Sequence, residues 1–250
     1  LNTAPLCLAH RKTPWRLGWH LVMARQLGEL IDGKEPAWPQ VKAWVTGASR
    51  PVEVLDSNPA RAKDVLLALQ VTTRSPMGAL AFQTGGLLID SGWVRLFGGG
   101  CSRFDGDLAR WNGLGPRPLT DAFEGAMLVG HDAVGGFFAL DGGALGEGKG
   151  HAYYLAPDTL SWEKLTDSYS ALLVFLLKGD LERFYSDLRW EGWEKDVKAL
   201  SPDRGFHFHP PLFAEADAGT TRSRKDVPMT ELLSMALDFM EQLSAEDSKA

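Results

Sequence analysis

Two aspartates share one glycine-rich stretch of the sequence, residues 127–146, and paired carboxylates can act as general acid and base. Such a pair needs a separation of about 5 to 10 Å. The stretch is typical of a β-hairpin that turns within residues 132–135, so Asp132 lies at the tip and Asp141 near the open end. At about 3.3 Å per residue the two carboxylates are roughly 20 Å apart. The sequence therefore predicts that they do not form a catalytic pair.

The glycines of this hairpin are predicted to shape it. Gly135 serves the turn, and Gly130 lies opposite Phe137, where the missing side chain leaves room for the ring. His131 and Asp132 keep an open role, because both project from the predicted tip. We therefore interpret the hairpin as mainly structural and these two residues as candidate contacts for a ligand or partner.

Other residue types that carry chemistry are isolated in the sequence. The histidine pairs His207 with His209 and His131 with His151 each lack a third metal ligand at a suitable spacing. Cys101 lies in a glycine loop without an evident histidine partner, and the sequence contains no Gly-x-Ser-x-Gly motif. The sequence predicts no catalytic residue, no metal and no cofactor, and it favours a protein that is not an enzyme.

The elements that must position these residues begin with helices. Asn58 before Pro59 and Ser75 before Pro76 are each typical of an N-cap followed by proline at the first helical position. The second of these helices is expected to stop at Gly85 and its glycine neighbour. The N-terminal third is therefore predicted to be mostly helical.

The hydrophobic pattern then changes to that of strands. The segment LLIDSGWVRLFG indicates two strands around a turn at Ser91 and Gly92, and the hairpin at residues 127–146 and the segment GHAYYLAP follow. Helices return afterwards, and the last of them carries an apolar stripe from Met229 to Leu243. The predicted fold class is α+β, with an antiparallel meander sheet flanked by helices.

Composition excludes several classes of protein. The chain of 250 residues has a net charge of -6, which argues against a nucleic-acid backbone as the main partner. No apolar run reaches the length of about 18 residues that a transmembrane helix needs, so no membrane partner is expected. The two cysteines, Cys7 and Cys101, match a reducing compartment better than a disulfide framework. The predicted location is the cytoplasm.

The domain organisation follows from the same patterns. Residues 23–244 are predicted to form a single α+β domain, and residues 245–250 a mobile tail. The first methionine is Met23. Residues 1–22 are then either foreign to the native protein or an extra amphipathic helix, since Trp15, Trp19 and Val22 have helical spacing.

Ordered motifs give the chain a family resemblance. The segments SPMGALAFQTGGLLIDSGWVRLFGGG, DAVGGFFALDGGALG, YYLAPDTLSWEKL and SYSALLVFLLKGDLERFYSDLRWEGW resemble an uncharacterised bacterial family, the domain of unknown function DUF2625. The resemblance covers roughly residues 23–231. It implies no particular activity.

A remoter resemblance links DAVGGFFALD and SYSALLVFL to the Smi1/Knr4 superfamily, also called SUKH. This resemblance implies a SUKH-like fold, in which a curved antiparallel sheet is flanked by helices. It also implies a protein-binding role, since many bacterial members resemble immunity proteins against secreted toxins.

Taken together, these features favour a non-catalytic protein-binding module of the immunity or scaffold type, with a toxin as one conceivable protein partner. The alternative is a small-molecule enzyme or binder with a cleft near Trp93, Asn112, Asp132 and Trp190. The oligomeric state is not indicated by the sequence. The candidate binding residues are Trp93, Asn112, His131, Asp132, Arg189 and Trp190.

Overall fold

The structure of the protein, a computed structural model, describes residues 24–146, 148–215 and 222–247. The hypothesis about residues 1–22 therefore lies outside the described residues. Seven strands form one sheet in which every strand pairs antiparallel with the next one along the chain, so the predicted meander is confirmed and is longer than expected. The strands of this sheet are β1 (Val52–Asp56), β2 (Thr84–Ile89), β3 (Val94–Phe97), β4 (Ala126–Asp132), β5 (Phe137–Asp141), β6 (Ala152–Leu155) and β7 (Trp162–Thr166).

Helices flank the sheet, and a separate two-stranded hairpin follows it, which confirms the α+β class. The hairpin consists of β8 (Arg204–His209) and β9 (Ser223–Pro228). The helices are α1 (Leu27–Leu30), α2 (Trp38–Thr46), α3 (Pro59–Leu69), α4 (Pro76–Gln83), α5 (Tyr169–Lys178), α6 (Leu181–Phe184), α7 (Trp193–Lys198) and α8 (Met229–Asp247), with one 3-10 turn at Arg110–Asn112. No helix in the described ranges combines the length and apolarity needed to cross a membrane.

The predicted helix starts are present. Asn58 accepts hydrogen bonds from the backbone of α3, and Ser75 Oγ accepts one from Gly78 N at 3.0 Å. The predicted stop of α4 at Gly85 is wrong, because the helix ends at Gln83 and Gly85 belongs to β2. A side chain at Gly85 would lie 2.8 Å from the Asp56 carbonyl oxygen, so this glycine permits close strand pairing.

The hairpin of β4 and β5 has the predicted pairing at its open end, where Ala126 faces Asp141. A bulge between Leu128 and Gly130 shifts the register towards the tip, so Gly130 faces Phe138 and not Phe137. The glycine is required by a different neighbour, because a side chain there would lie 2.7 Å from the Arg95 carbonyl oxygen of β3.

The tip of this hairpin is covered by later parts of the chain. Phe206 N of β8 donates a hydrogen bond to Ala133 O at 2.8 Å, and Leu232 of α8 packs beside Gly135. His131 and Asp132 are both 0% exposed. The expectation that they project from the tip into solvent is therefore wrong. The turn between them is covered by β8 and α8, and the two side chains point into the protein, where His131 meets aromatic rings and Asp132 meets Tyr154.

Helix α8 packs through the first part of its predicted stripe. Met229, Leu233 and Ala236 are buried, whereas Leu243 is 45% exposed. The stripe was predicted to continue to Leu243, but the neighbouring elements do not reach that far along the helix. The helix itself continues to Asp247, into the segment that was predicted to be a mobile tail.

One row of side chains crosses the whole sheet on a single face. Residues that face each other on neighbouring strands point to the same side, and the registers connect one residue from each strand. The row is Glu53, Leu88, Arg95, His131, Phe137, Leu155 and Trp162. It changes from a charged residue at the β1 edge to aromatic residues in the middle and at the β7 edge, with one arginine among the buried members.

Candidate binding site

A cavity of about 350 Å³ lies at the β1 end of this row, where Glu53, Leu88 and Arg95 line it. It is bounded by the start of β1, by the turn between β2 and β3, and by the segment that follows α7. The turn is tight because Ser91 and Gly92 both have positive φ, 59° and 84°, as predicted for this hairpin. The cavity has the volume of a small-molecule site.

Arg95 is the buried charge of this cavity, with 1% of its surface exposed. Its Nε donates to Gly92 O at 2.8 Å and its Nη1 to Arg204 O at 2.6 Å. Within the described ranges, Nη2 has no hydrogen-bond partner and no carboxylate oxygen lies within 4.0 Å of the guanidinium. Burial lowers the pKa of Arg95 to about 10, against the attraction of Asp132 and Asp203, so the group stays charged at neutral pH.

Asp132, the first carboxylate near Arg95, is saturated by other donors. Its Oδ1 accepts from Val134 N at 2.9 Å and Gly136 N at 2.8 Å, and its Oδ2 accepts from the Tyr154 hydroxyl at 2.6 Å. Burial raises its pKa even though these hydrogen bonds favour the charged form. Asp132 therefore fixes the hairpin tip onto β6.

Asp203, the second carboxylate near Arg95, is also occupied. Its two oxygens accept from the backbone N–H groups of Asp105 at 2.8 Å and Gly106 at 2.9 Å. Burial raises the pKa of Asp203 above its ordinary value. Neither aspartate neutralises Arg95 by direct contact.

The cavity has charged side chains at its mouth and apolar side chains along part of its wall. Arg103 and Lys198 are exposed cations at the mouth, and Arg103 forms an ion pair with Glu53. The cavity lining thus carries three positive side chains and one carboxylate. Part of the wall is apolar and consists of Leu88, Val197, Leu200 and Pro202.

His131 lies next to Arg95 in the row but does not reach the cavity. Burial, followed by the nearby Arg95 charge, lowers its pKa well below the ordinary value, so the ring is neutral. Its Nδ1 is 3.2 Å from Asp132 O, and its Nε2 has no partner among the described residues. Four rings lie within about 6 Å, those of Phe97, Phe104, Trp111 and Phe137.

Asn112 joins the 3-10 turn to the sheet. Its amide donates to Leu108 O and Leu128 O, both at 2.8 Å, and its side-chain oxygen accepts from Leu128 N at 2.7 Å. All of these bonds are buried. The side chain is therefore fully engaged in holding β4.

Trp93, Arg189 and Trp190 are brought together, as parts of a cluster of aromatic rings around one guanidinium. Arg189 lies 4.1 Å from the Trp193 ring centroid and 4.9 Å from that of Trp93, and it pairs with Asp90 at 2.5 Å. Trp190 contacts Trp93 at 5.7 Å between centroids. This arrangement anchors the segment after α6 to the turn between β2 and β3.

The residues of the predicted cleft, Trp93, Asn112, Asp132 and Trp190, do not line either of the two cavities described for this chain. The first three are buried with their polar groups or rings packed inside the protein, and none of the four lines the Arg95 cavity. A second cavity, of about 50 Å³ between the hairpin tip and α8, is also lined by other residues. Arg95 was missed, and its only signal in the sequence is a single charge in the apolar strand VRLF.

No group of three or more His, Cys, Asp and Glu side chains in the described part of the chain could hold a metal ion. The cavity thus combines a buried cation with walls that are part polar and part apolar. Among the residues that line the cavity, the charged side chains are Glu53, Arg95, Arg103 and Lys198.

Comparison with known proteins gives the family. Residues 27–232 match the family described as "Protein of unknown function DUF2625". The chain belongs to this family. The chain is also similar to a protein of Escherichia coli K12, described as putative uncharacterized protein YbfG, with 41% identity over 87% of this chain and 98% of that protein. An uncharacterized protein of Haemophilus influenzae is 36% identical over 74% of this chain and 82% of its own length.

No solved structure matches this DUF2625 protein. The resemblance to the SUKH superfamily stays a prediction.

Proposed function

We propose that this DUF2625 protein is a non-catalytic protein-binding module of the bacterial cytoplasm, and that it binds an extended segment of its partner along the outer edge of β1. The observation that carries the proposal is the free edge of this strand. In the described part of the chain, β1 pairs with β2 only. A strand edge of this kind can accept a further strand through main-chain hydrogen bonds.

The register shows which backbone groups are available. Asp90 N donates to Pro51 O at 2.8 Å, which makes these two residues a hydrogen-bonded pair. Since hydrogen-bonded and non-hydrogen-bonded pairs alternate in antiparallel sheets, Val52 and Val54 turn their N–H and C=O groups away from β2. Two residues on β1 therefore present unpaired donors and acceptors at the edge.

The surroundings of this edge suit a protein partner. Val54 is 41% exposed and would contact a side chain of an added strand. The net charge of -6 disfavours a nucleic acid at the same surface. The strand at the opposite edge, β7, exposes only the charged residues Glu163 and Lys164, whereas β1 also exposes the apolar Val54. The β1 edge is therefore the supported binding surface, and a toxin as the partner stays a prediction.

The test is a pair of substitutions at Val54. Val54→Pro removes an N–H that faces outward, so the pairing with β2 is kept while the donor to an added strand is lost. Val54→Ala is the matched control, since it shortens the side chain and keeps the N–H. Thermal unfolding checks that both variants fold.

The probe is a phage-displayed library of random peptides, selected on the wild-type protein. Peptides that bind the wild type and Val54→Ala, and that bind Val54→Pro about 10-fold more weakly or worse, would support the proposal. A library that yields no enrichment, or peptides that bind Val54→Pro as well as the wild type, would refute binding at this edge.

A further inference from the structure

Arg95 is an exception to the usual treatment of buried charge. Buried ionic groups in proteins are normally paired or bound to a ligand, because removing a charge from water is costly. Arg95 is 1% exposed and has two carbonyl partners but no carboxylate within 4.0 Å in the described part of the chain. An unpaired buried guanidinium at the wall of a cavity therefore needs a specific explanation.

The two carbonyl bonds hold this guanidinium in a fixed position. Gly92 O lies in the turn between β2 and β3, and Arg204 O lies at the start of β8, so the side chain is held from two separate elements. Such fixation lowers the entropy lost when a ligand binds. The remaining nitrogen, Nη2, has no hydrogen-bond partner within the described ranges. Arg95 is thus pre-organised as a donor.

The charge around the cavity selects a negative ligand. Its lining has cations at Arg95, Arg103 and Lys198 against one carboxylate, Glu53. The two aspartates whose charge attracts Arg95, Asp132 and Asp203, already accept hydrogen bonds from backbone N–H groups. Arg103 is paired with Glu53 and Lys198 lies 4.0 Å from Glu194, so Arg95 is the cation of the lining without a carboxylate partner among the described residues. An anion that enters the cavity would meet this charge.

The walls and the volume restrict the ligand further. Leu88, Val197, Leu200 and Pro202 contribute apolar surface, which an inorganic ion cannot use. A volume of about 350 Å³ holds more than a single oxyanion and is in the range of small-molecule sites. The ligand must therefore combine one anionic group with an apolar body.

We infer that this cavity binds a carboxylate attached to an apolar group, with the carboxylate at Arg95 and the apolar group against Val197 and Leu200. The guanidinium fork matches the geometry of a carboxylate, and charge-assisted hydrogen bonds are stronger than neutral ones. The carboxylate can belong to a free acid or to the C-terminal residue of a peptide. This inference does not depend on partner binding at the β1 edge.

The test uses three small probes of defined chemistry. They are 4-methylpentanoate, its primary amide and inorganic phosphate, each titrated at constant ionic strength. Binding is followed through the Nε–Hε resonance of Arg95 in a ¹H–¹⁵N spectrum and by calorimetry. We expect saturable binding of the carboxylate, and binding of the amide and of phosphate that is at least about 10-fold weaker.

Variants connect the binding to this cavity. Leu200→Trp fills the space without removing Arg95 and should abolish binding of 4-methylpentanoate. Arg95→Lys keeps the charge but loses the planar fork, and should weaken binding about 10-fold or more. Val54→Pro should leave the binding of this small acid unchanged, so failure of the edge proposal and failure of this inference are distinguishable.

A fourth probe identifies the source of the carboxylate. Acetyl-Gly-Leu with a free C-terminus would bind about 10-fold tighter than 4-methylpentanoate if the ligand is a chain terminus, and equally if it is a free acid. Either result supports a carboxylate site. Equal binding of acid and amide, tighter binding of phosphate, no saturation with any probe, or full binding to Leu200→Trp would overturn the inference.

Discussion

The substitution Asp132→Asn tests whether the charge of the buried carboxylate at the hairpin tip lowers the free energy of unfolding. The side chain is 0% exposed, and its pKa is raised by burial in spite of bonds from Tyr154, Val134 and Gly136. Asparagine keeps an acceptor for the two backbone N–H groups, and its amide can donate to the Tyr154 hydroxyl oxygen. The variant removes the charge while it retains most of the hydrogen bonding.

The pH dependence has a definite sign. An acid whose pKa is higher in the folded state than in the unfolded state favours folding in its protonated form, so its contribution is lost as pH rises through the folded pKa. Between the unfolded value of 3.8 and the raised folded pKa, the wild type should lose stability relative to Asp132→Asn. The expected rate is about 1.4 kcal/mol for each pH unit crossed.

Asp141 provides a control in the same hairpin, because its pKa is shifted in the opposite direction and its effect on stability should depend on pH in the opposite way. Burial alone would raise its pKa, but backbone N–H donors from Leu145, Gly143 and Ala144 outweigh burial and lower it. Its contribution to stability is thus present above 3.8 and is lost as pH falls through the folded pKa. Asp141→Asn should be less stable than the wild type by about 1 to 2 kcal/mol at neutral pH.

The assay is urea unfolding from pH 4 to pH 8, monitored by tryptophan fluorescence. Trp93 is fully buried, so its emission should change when the protein unfolds. Asp132→Ala serves as a reference, since it leaves three buried donors without an acceptor and should cost about 3 kcal/mol or more at every pH. If Asp132→Asn became progressively less stable than the wild type as pH rises, the buried charge would be stabilising and the reasoning would be refuted.

Two further predictions concern packing and the guanidinium cluster. Gly136→Ala places a Cβ atom closer than 3.0 Å to the Tyr154 hydroxyl, so we expect a loss of about 2 kcal/mol or more in urea unfolding. Arg189→Gln removes the ion pair with Asp90 and the stacking on Trp193, so we expect about 3 kcal/mol of destabilisation and an altered fluorescence spectrum.

Matched controls accompany both predictions. Gly33→Ala adds a methyl group outside any helix where no heavy atom lies within 4 Å, and Arg183→Gln removes an exposed arginine of α6. Each control should change the free energy of unfolding by less than about 0.5 kcal/mol. Equal effects in a variant and its control would show that the contacts at Gly136 or Arg189 do not stabilise the fold.

Local signals in the sequence predicted much of the fold. The caps at Asn58 and Ser75 and the turn at Ser91 and Gly92 lie where expected, because each depends on hydrogen bonds and φ values of adjacent residues. The strand β1, in contrast, was missed. Its five residues are too few for a clear alternation, and its position is fixed by pairing with residues of β2 that lie 28 to 37 positions later in the chain.

The family, the α+β class and the open end of the β4 and β5 hairpin were determined by the sequence, since they depend on motifs and on local pairing. Burial was decided by the tertiary structure. His131 is enclosed by rings from other parts of the chain, such as Phe97 and Trp111, and Asp132 by the Tyr154 hydroxyl of β6, while β8 and α8 lie against the turn next to them. Arg95 becomes a candidate ligand-binding residue only when the turn at Gly92 and the start of β8 enclose it, because desolvation depends on elements distant in the chain and not on neighbours in sequence.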